Sequence, residues 1–169
     1  LDNREVQISS AEFLQYRDDK KVKVIPLDVR EERYYNQFHL RGAVQLPLER
    51  VQAKARELHF EPANSVFVIM SNDEAAATEA WKILRAESVP NIYILEGGIN
   101  AWLKTYAGDS LDDSDRVSVR QEEQLAYRFK AATGDRHPAA EPAADLLDLN
   151  FEPKIILELK RAPTSGGCG

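Results

Sequence analysis

The polar residues Ser71, Asn72, Asp73 and Glu74 interrupt "SVFVIMSNDEAAATEAW", Ser65 to Trp81, between a strand-like run and an alanine-rich helical one. A strand that turns at once into a helix brings unpaired backbone N–H groups and the positive helix end to one point. Such a point suits an anion or a nucleophile. A hydroxyl nucleophile at Ser71 would need a base, and none lies beside it in sequence, so a serine or acid–base enzyme built on Ser71, Asp73 and Glu74 is the weakest reading. Local chemistry supplies another. "SNDE" matches a capping box, with Ser71 as N-cap and Glu74 at the third helical position reaching back to its N–H. Asp73 and Glu74 would each stabilise that end by roughly 0.3 to 1 kcal/mol. The turn is therefore expected to have its positive end occupied by the chain's own acids.

Other chemistry is sparse. The single cysteine, Cys168 in "TSGGCG", excludes an intrachain disulfide and any cysteine-based metal cluster. His39, His59 and His137 lack the spacing of a zinc site, so no metal is expected, and no motif asks for a cofactor. The net charge is −6 with the acids dispersed, which disfavours nucleic acid and anionic lipid as partners. A protein partner, a sulfur donor or acceptor protein included, fits better, and a homo-oligomer is compatible with the sequence. No apolar run approaches the length of a membrane span. The chain opens on Leu1 rather than Met, so a tag, signal peptide or anchor is expected to have been removed, leaving cytoplasm and periplasm both open.

The elements that position these residues alternate. "REVQISSAEFLQYRDD" reads as a short strand, then a helix capped by Ser9 or Ser10. "KVKVIPLDVR" suits a central strand ending at Asp28, although Pro26 cannot donate to a ladder. A short helix, a turn at Arg41 and Gly42, a brief strand "AVQLP" and a helix with Leu48, Val51, Ala55 and Leu58 follow. "NIYIL" and "GGINAWLKTY" add a strand and a helix. Strands separated by helices imply an α/β fold, a three-layer structure with a mostly parallel five-stranded sheet. Residues 1–106 read as the main domain. Residues 107–161 read as an extension of loop, helix ("SVRQEEQLAYRFKAA"), Pro-rich linker and strand or arm, expected to wrap the domain or a symmetry mate. Residues 162–169 read as a flexible Gly-rich tail.

The stretches "PLDVREERYY", "FHLRGAVQLP", "VFVIM" and "YILEGGINAW" in this order resemble the rhodanese-like family over roughly residues 5–106. Asp28, Arg30, His39, Gly42, Gly97 and Gly98 carry the match. Each also has a structural role open to it: Asp28 and Arg30 can tie down loops, Gly42 permits a tight turn, Gly97 and Gly98 free the backbone, and His39 fits a hydrogen-bonded structural residue.

In active members the resemblance implies a cysteine at the end of the "VFVIM" strand, with a ring of backbone N–H groups that holds an anionic persulfide. One register places Ser71 at that position and the other places Met70; neither is a cysteine. The loop's last position, often basic in active members, falls at Ala76. The loop Met70, Ser71, Asn72, Asp73, Glu74, Ala75, Ala76 is therefore expected to be a degenerate active site, silent for sulfur or phosphoryl transfer. The ending is similar to the Gly-Gly-Cys tail of sulfur-oxidation carriers, which makes Cys168 a candidate sulfur carrier. The preferred expectation is a non-catalytic binding or regulatory module linked to sulfur metabolism.

Overall fold

The computed structural model describes residues 4–142 and 150–157. Cys168 and the tail lie outside the described residues. Five strands and five helices alternate: β1 (Gln7–Ile8), α1 (Ser10–Arg17), β2 (Lys23–Asp28), α2 (Glu32–Gln37), β3 (Val44–Gln45), α3 (Val51–His59), β4 (Ser65–Met70), α4 (Ala75–Ala86), β5 (Ile92–Leu95) and α5 (Gly98–Tyr106). The sheet order is β1-β5-β4-β2-β3, and every pairing is parallel. This is the three-layer α/β fold that the alternation of strand and helix implies.

The two-residue period of β4 divides the core. Val66, Val68 and Met70 pack with Phe13, Leu14, Ile99 and Trp102 on the α1/α5 side. Phe67 and Ile69 pack with Val51, Ala55, Ala77, Ala80 and Leu84 on the α3/α4 side. Each large apolar side chain buried this way contributes roughly 1.5–3 kcal/mol. Met70 is fully buried and pairs with Asp28, so it is still a strand residue and its side chain faces the core rather than the loop. Pro26 fits because of strand parity. The N–H groups of Lys23 and Val29 reach the β4 side, at Asn64 and Met70. Pro26, three residues from each, turns its nitrogen the other way, where pairing with β3 begins only at Leu27.

Ser9 caps α1 by accepting the Glu12 N–H at 3.1 Å. The predicted helix in "SVRQEEQLAYRFKAA" does not form. Residues 115–128 fold back as a short hairpin instead, with an antiparallel bridge between Arg116 and Tyr127 and the Val117 N–H on the Ala126 carbonyl at 2.9 Å. The helical spacing of Leu125 and Phe129 was misleading because this backbone finds its partners on the domain, far away in sequence. Leu125 enters the core, and Phe129 stacks on Phe38 with ring centroids 5.6 Å apart.

The chain then runs along α2 and α5. The Gly134 carbonyl accepts the His39 N–H, the Ala140 carbonyl accepts the Arg41 N–H, and Trp102 donates its indole N–H to the Ala139 carbonyl at 2.6 Å. His137 packs edge-on against Phe38 and Phe129, and burial holds its pKa below the usual value. That favours the neutral ring, whose Nδ1 accepts the Ala139 N–H. Residues 151–157 form an arm without strand pairing. The Lys154 and Ile155 N–H groups both reach one oxygen of the buried Glu12, and Tyr93 Oη accepts the Ile156 N–H.

Gly98, at φ +61, makes the tightest approach among the described glycines. A Cβ there would lie 2.5 Å from the Ser71 carbonyl oxygen, 2.8 Å from that of Asn72, and closer still to that of Asp73. Gly42, at φ +79, would meet nothing. Gly42→Ala should therefore cost only the left-handed backbone term, about 1–2 kcal/mol. Gly98→Ala should cost more than about 3 kcal/mol, because three backbone carbonyls must move. Urea denaturation of the two variants checks the difference.

Candidate functional site

The loop after β4 is shaped by where its carbonyls go. Ile99 N–H donates to the Ser71 carbonyl and Asn100 N–H to that of Asn72, each at 2.9 Å. The start of α5 thus takes the acceptor side of residues 71–72, directly beneath Gly98. Above it, the first turn of α4 borders a cavity of about 190 Å³ whose walls include Arg30, Tyr34, Asn72, Ala76 and Glu123. Outward-facing amides at a helix N-terminus form an anion cradle.

An anion from the chain itself fills it. Glu123, from the hairpin, places Oε1 3.0 Å from the Ala76 nitrogen and 3.1 Å from Ser71 Oγ, both as acceptor. The Ser71 hydroxyl hydrogen lies between this oxygen and the Asp73 carbonyl, 3.0 Å away, so it serves one of them at a time. Ser71 Oγ in turn accepts the Ala77 N–H at 3.1 Å. A hydroxyl beside a carboxylate is formally a nucleophile with a base. Here the carboxylate also holds Ala76 N–H, a donor that a developing oxyanion would need.

The expected capping box is absent. Helix α4 begins only at Ala75, with Glu74 in the cap position and no side-chain cap bond. Ser71 lies three residues before the cap position and still accepts the Ala77 N–H of the first turn, but Glu74 does not reach back to it. The two acids of the loop are also turned away from the cradle. Glu74 accepts the Gly97 N–H at 2.7 Å and pairs with Arg4 at 2.8 Å. Asp73 accepts from Asn100 Nδ2 at 3.0 Å and pairs with Arg120 at 3.1 Å. The positive end is closed, as expected, but by Glu123 and not by Asp73 and Glu74.

The rhodanese-like domain profile matches residues 9–105. The chain belongs to the rhodanese-like family. No curated protein matches it. Among solved structures, a Bacillus halodurans protein is 19% identical with a TM-score of 0.52, covering 61% of this chain and 74% of its own. A Lactobacillus plantarum protein is 19% identical with a TM-score of 0.50, covering 61% and 86%. The rhodanese-like domain of an Anabaena protein is 20% identical with a TM-score of 0.49, covering 75% and 95%. At these identities the likeness is one of fold.

Within this rhodanese-like chain, Asp28, Arg30, Gly97 and Gly98 of the motif residues brace the loop. Asp28 and Arg30 are buried and paired twice, at 2.8 and 2.6 Å. Arg30 also donates to the Phe38 carbonyl at 2.6 Å and to Asn72 Oδ1 at 3.2 Å. With its oxygen held by Arg30, Asn72 has Nδ2 left to donate, and it does so to the Glu123 carbonyl at 2.6 Å. His39 hydrogen-bonds through Nδ1 to the Tyr35 carbonyl at 2.8 Å and stacks on that ring, away from the loop. Gly97 takes φ +66 and Gly98 φ +61, which lets β5 turn into α5 under the loop. Among the described residues, no group of His, Cys, Asp or Glu is arranged to hold a metal, and no helix is long and apolar enough to cross a membrane.

Two participants were not legible in the sequence. Glu123 lies in a run with helical spacing, and Asn100 looked like an ordinary residue of α5; only the tertiary fold brings both to the loop. Removing one partner of the buried pair leaves a buried charge uncompensated. Asp28→Ala should therefore destabilise the fold by roughly 3–5 kcal/mol. Arg30→Ala should give a loss of similar size, and urea denaturation of each variant checks both.

Proposed function

We propose that this chain is a rhodanese-like binding or regulatory module linked to sulfur metabolism, with a degenerate loop, Met70 to Ala76, that does not transfer sulfur or phosphate. The observation that carries this reading is the Glu123 carboxylate, which accepts Ala76 N–H and the Ser71 hydroxyl where the family resemblance implies a thiolate or persulfide. The burial of Met70 in the core supports Ser71 over Met70 as the position that matches the family nucleophile. A serine hydroxyl cannot carry a sulfane sulfur as a thiolate does. Residues 1–106 would be the family domain, with 107–161 an extension that covers its loop.

A second reading rests on composition. Cys168 is the single cysteine, so any sulfur carried covalently as a persulfide is carried there. Its thiolate would attack the outer sulfur of a donor persulfide, the donor's S–S bond would break, and the donor would leave as a thiolate. Both readings place the chain beside a protein that donates or accepts sulfur.

The wild-type chain should show no thiosulfate:cyanide sulfurtransferase turnover above a Ser71→Ala control. Turnover that depends on the loop contradicts the module reading. Intact-mass spectrometry after incubation with a persulfide donor separates the second reading. A gain of one sulfur that disappears in Cys168→Ser supports the carrier, and an inert thiol refutes it.

A further inference from the structure

The hairpin does more than insert a carboxylate, because the domain reads its backbone as well. Asn72 Nδ2 donates to the Glu123 carbonyl at 2.6 Å and Asn100 Nδ2 to the Gln124 carbonyl at 3.0 Å, while Asn100 Oδ1 accepts the Ala126 N–H at 2.7 Å. Both asparagines are buried and oriented from behind, Asn72 by Arg30 and Asn100 by Asp73. The second Nδ2 hydrogen and the oxygen of Asn100 are thus aimed at the segment. Between these contacts Leu125 enters the core at 2% exposure. A glutamate side chain, two successive carbonyls, one apolar side chain and one amide are each matched by a fixed group.

Apart from that seat the hairpin is held by a half-exposed ion pair, Arg120 with Asp73, and by Tyr127 at the base of its stem. Its stem carries two interstrand backbone bonds, Val117 N–H to the Ala126 carbonyl and Arg128 N–H to the Asp115 carbonyl. Val119 near the tip is 79% exposed. Two-stranded hairpins are marginal in water by themselves; at the seat, Leu125 gives the apolar anchor and the other contacts are polar ones that water or another peptide can replace.

We propose that residues 71–76 together with Asn100 form a peptide receptor for a segment of the pattern Glu-x-apolar-x, occupied in cis by residues 123–126 and available in trans to a partner segment of the same chemistry. This rests on the reading of the loop as non-catalytic and names what it binds. Glu123 then acts as a built-in competitor, and partner binding requires the hairpin to leave. Because the cis segment is tethered, it competes at high effective concentration. The wild-type chain is accordingly a weak binder until the hairpin is loosened.

The probe is a fluorescein-labelled peptide of residues 118–128, followed by fluorescence anisotropy with the full chain. The double variant Glu123→Ala/Ala126→Pro, which removes the carboxylate and the amide that Asn100 holds, should bind the peptide at least about tenfold tighter than wild type. The same peptide carrying Glu123→Ala should lose at least about tenfold in affinity for that variant, a difference of about 1.4 kcal/mol. Equal binding of the two peptides, or no binding to a variant whose circular dichroism is native, overturns the proposal.

Amide exchange of the wild-type chain decides the matter if the double variant does not fold. Ala76 and Ala126 should exchange at least about tenfold faster than the amides of β4, by local opening of the hairpin. Exchange at the β4 rate refutes a displaceable segment. Failure to bind peptide without sulfurtransferase turnover removes the receptor alone, whereas loop-dependent turnover removes the module reading beneath it.

Discussion

The start of α5 takes the carbonyls of the loop, and the rest of the site follows from that constraint. Ile99 and Asn100 use their N–H groups on Ser71 and Asn72, and Gly98 lets the two backbones meet. On the other side, the first turn of α4 offers the Ala76 N–H, which Glu123 takes. A cluster of amides at a helix N-terminus is unfavourable without a counter-charge or water. The buried Asp28–Arg30 pair keeps this arrangement rigid, because Arg30 reaches Phe38 on one side and Asn72 on the other.

The electrostatics ask for an anion, and the chain supplies its own. Glu123 enters from a segment outside the region matched to the family, at a backbone φ of +57 that a residue with a side chain adopts only at some cost. Its placement changes the meaning of the loop acids. Asp73 and Glu74 were expected to neutralise the helix end, yet one braces Asn100 and Arg120 while the other holds Gly97 and Arg4. They fix the frame of the cradle, and the hairpin fills it. On the reading proposed above, the loop binds part of its own chain.

The legible parts of the sequence were those set by local pattern. The apolar runs of β2, β4 and β5, the Ser9 cap and the glycine pair before α5 each act through neighbours within a few residues, so the α/β class followed from them. Position along β4 was not recoverable, because the run "VFVIM" is apolar throughout and every residue of the strand is buried, which left Met70 and Ser71 both open. The hairpin was not legible. Leu125 and Phe129 lie four residues apart as they would on one helix face, but their real partners belong to the α1/α5 core and to Phe38. The capping box failed for a related reason. "SNDE" fits the motif locally, but the Gly98 contact delays the helix to Ala75, and nothing near Ser71 in sequence reports that contact.

The contact between Glu123 and Ala76 is the central claim in its smallest form, and nuclear magnetic resonance reads it directly. An amide hydrogen-bonded to a carboxylate changes its environment when that carboxylate is removed. The Ala76 amide resonance should therefore shift strongly in Glu123→Ala while the amides of β4 stay in place. An Ala76 amide that keeps its wild-type resonance in Glu123→Ala would contradict the account.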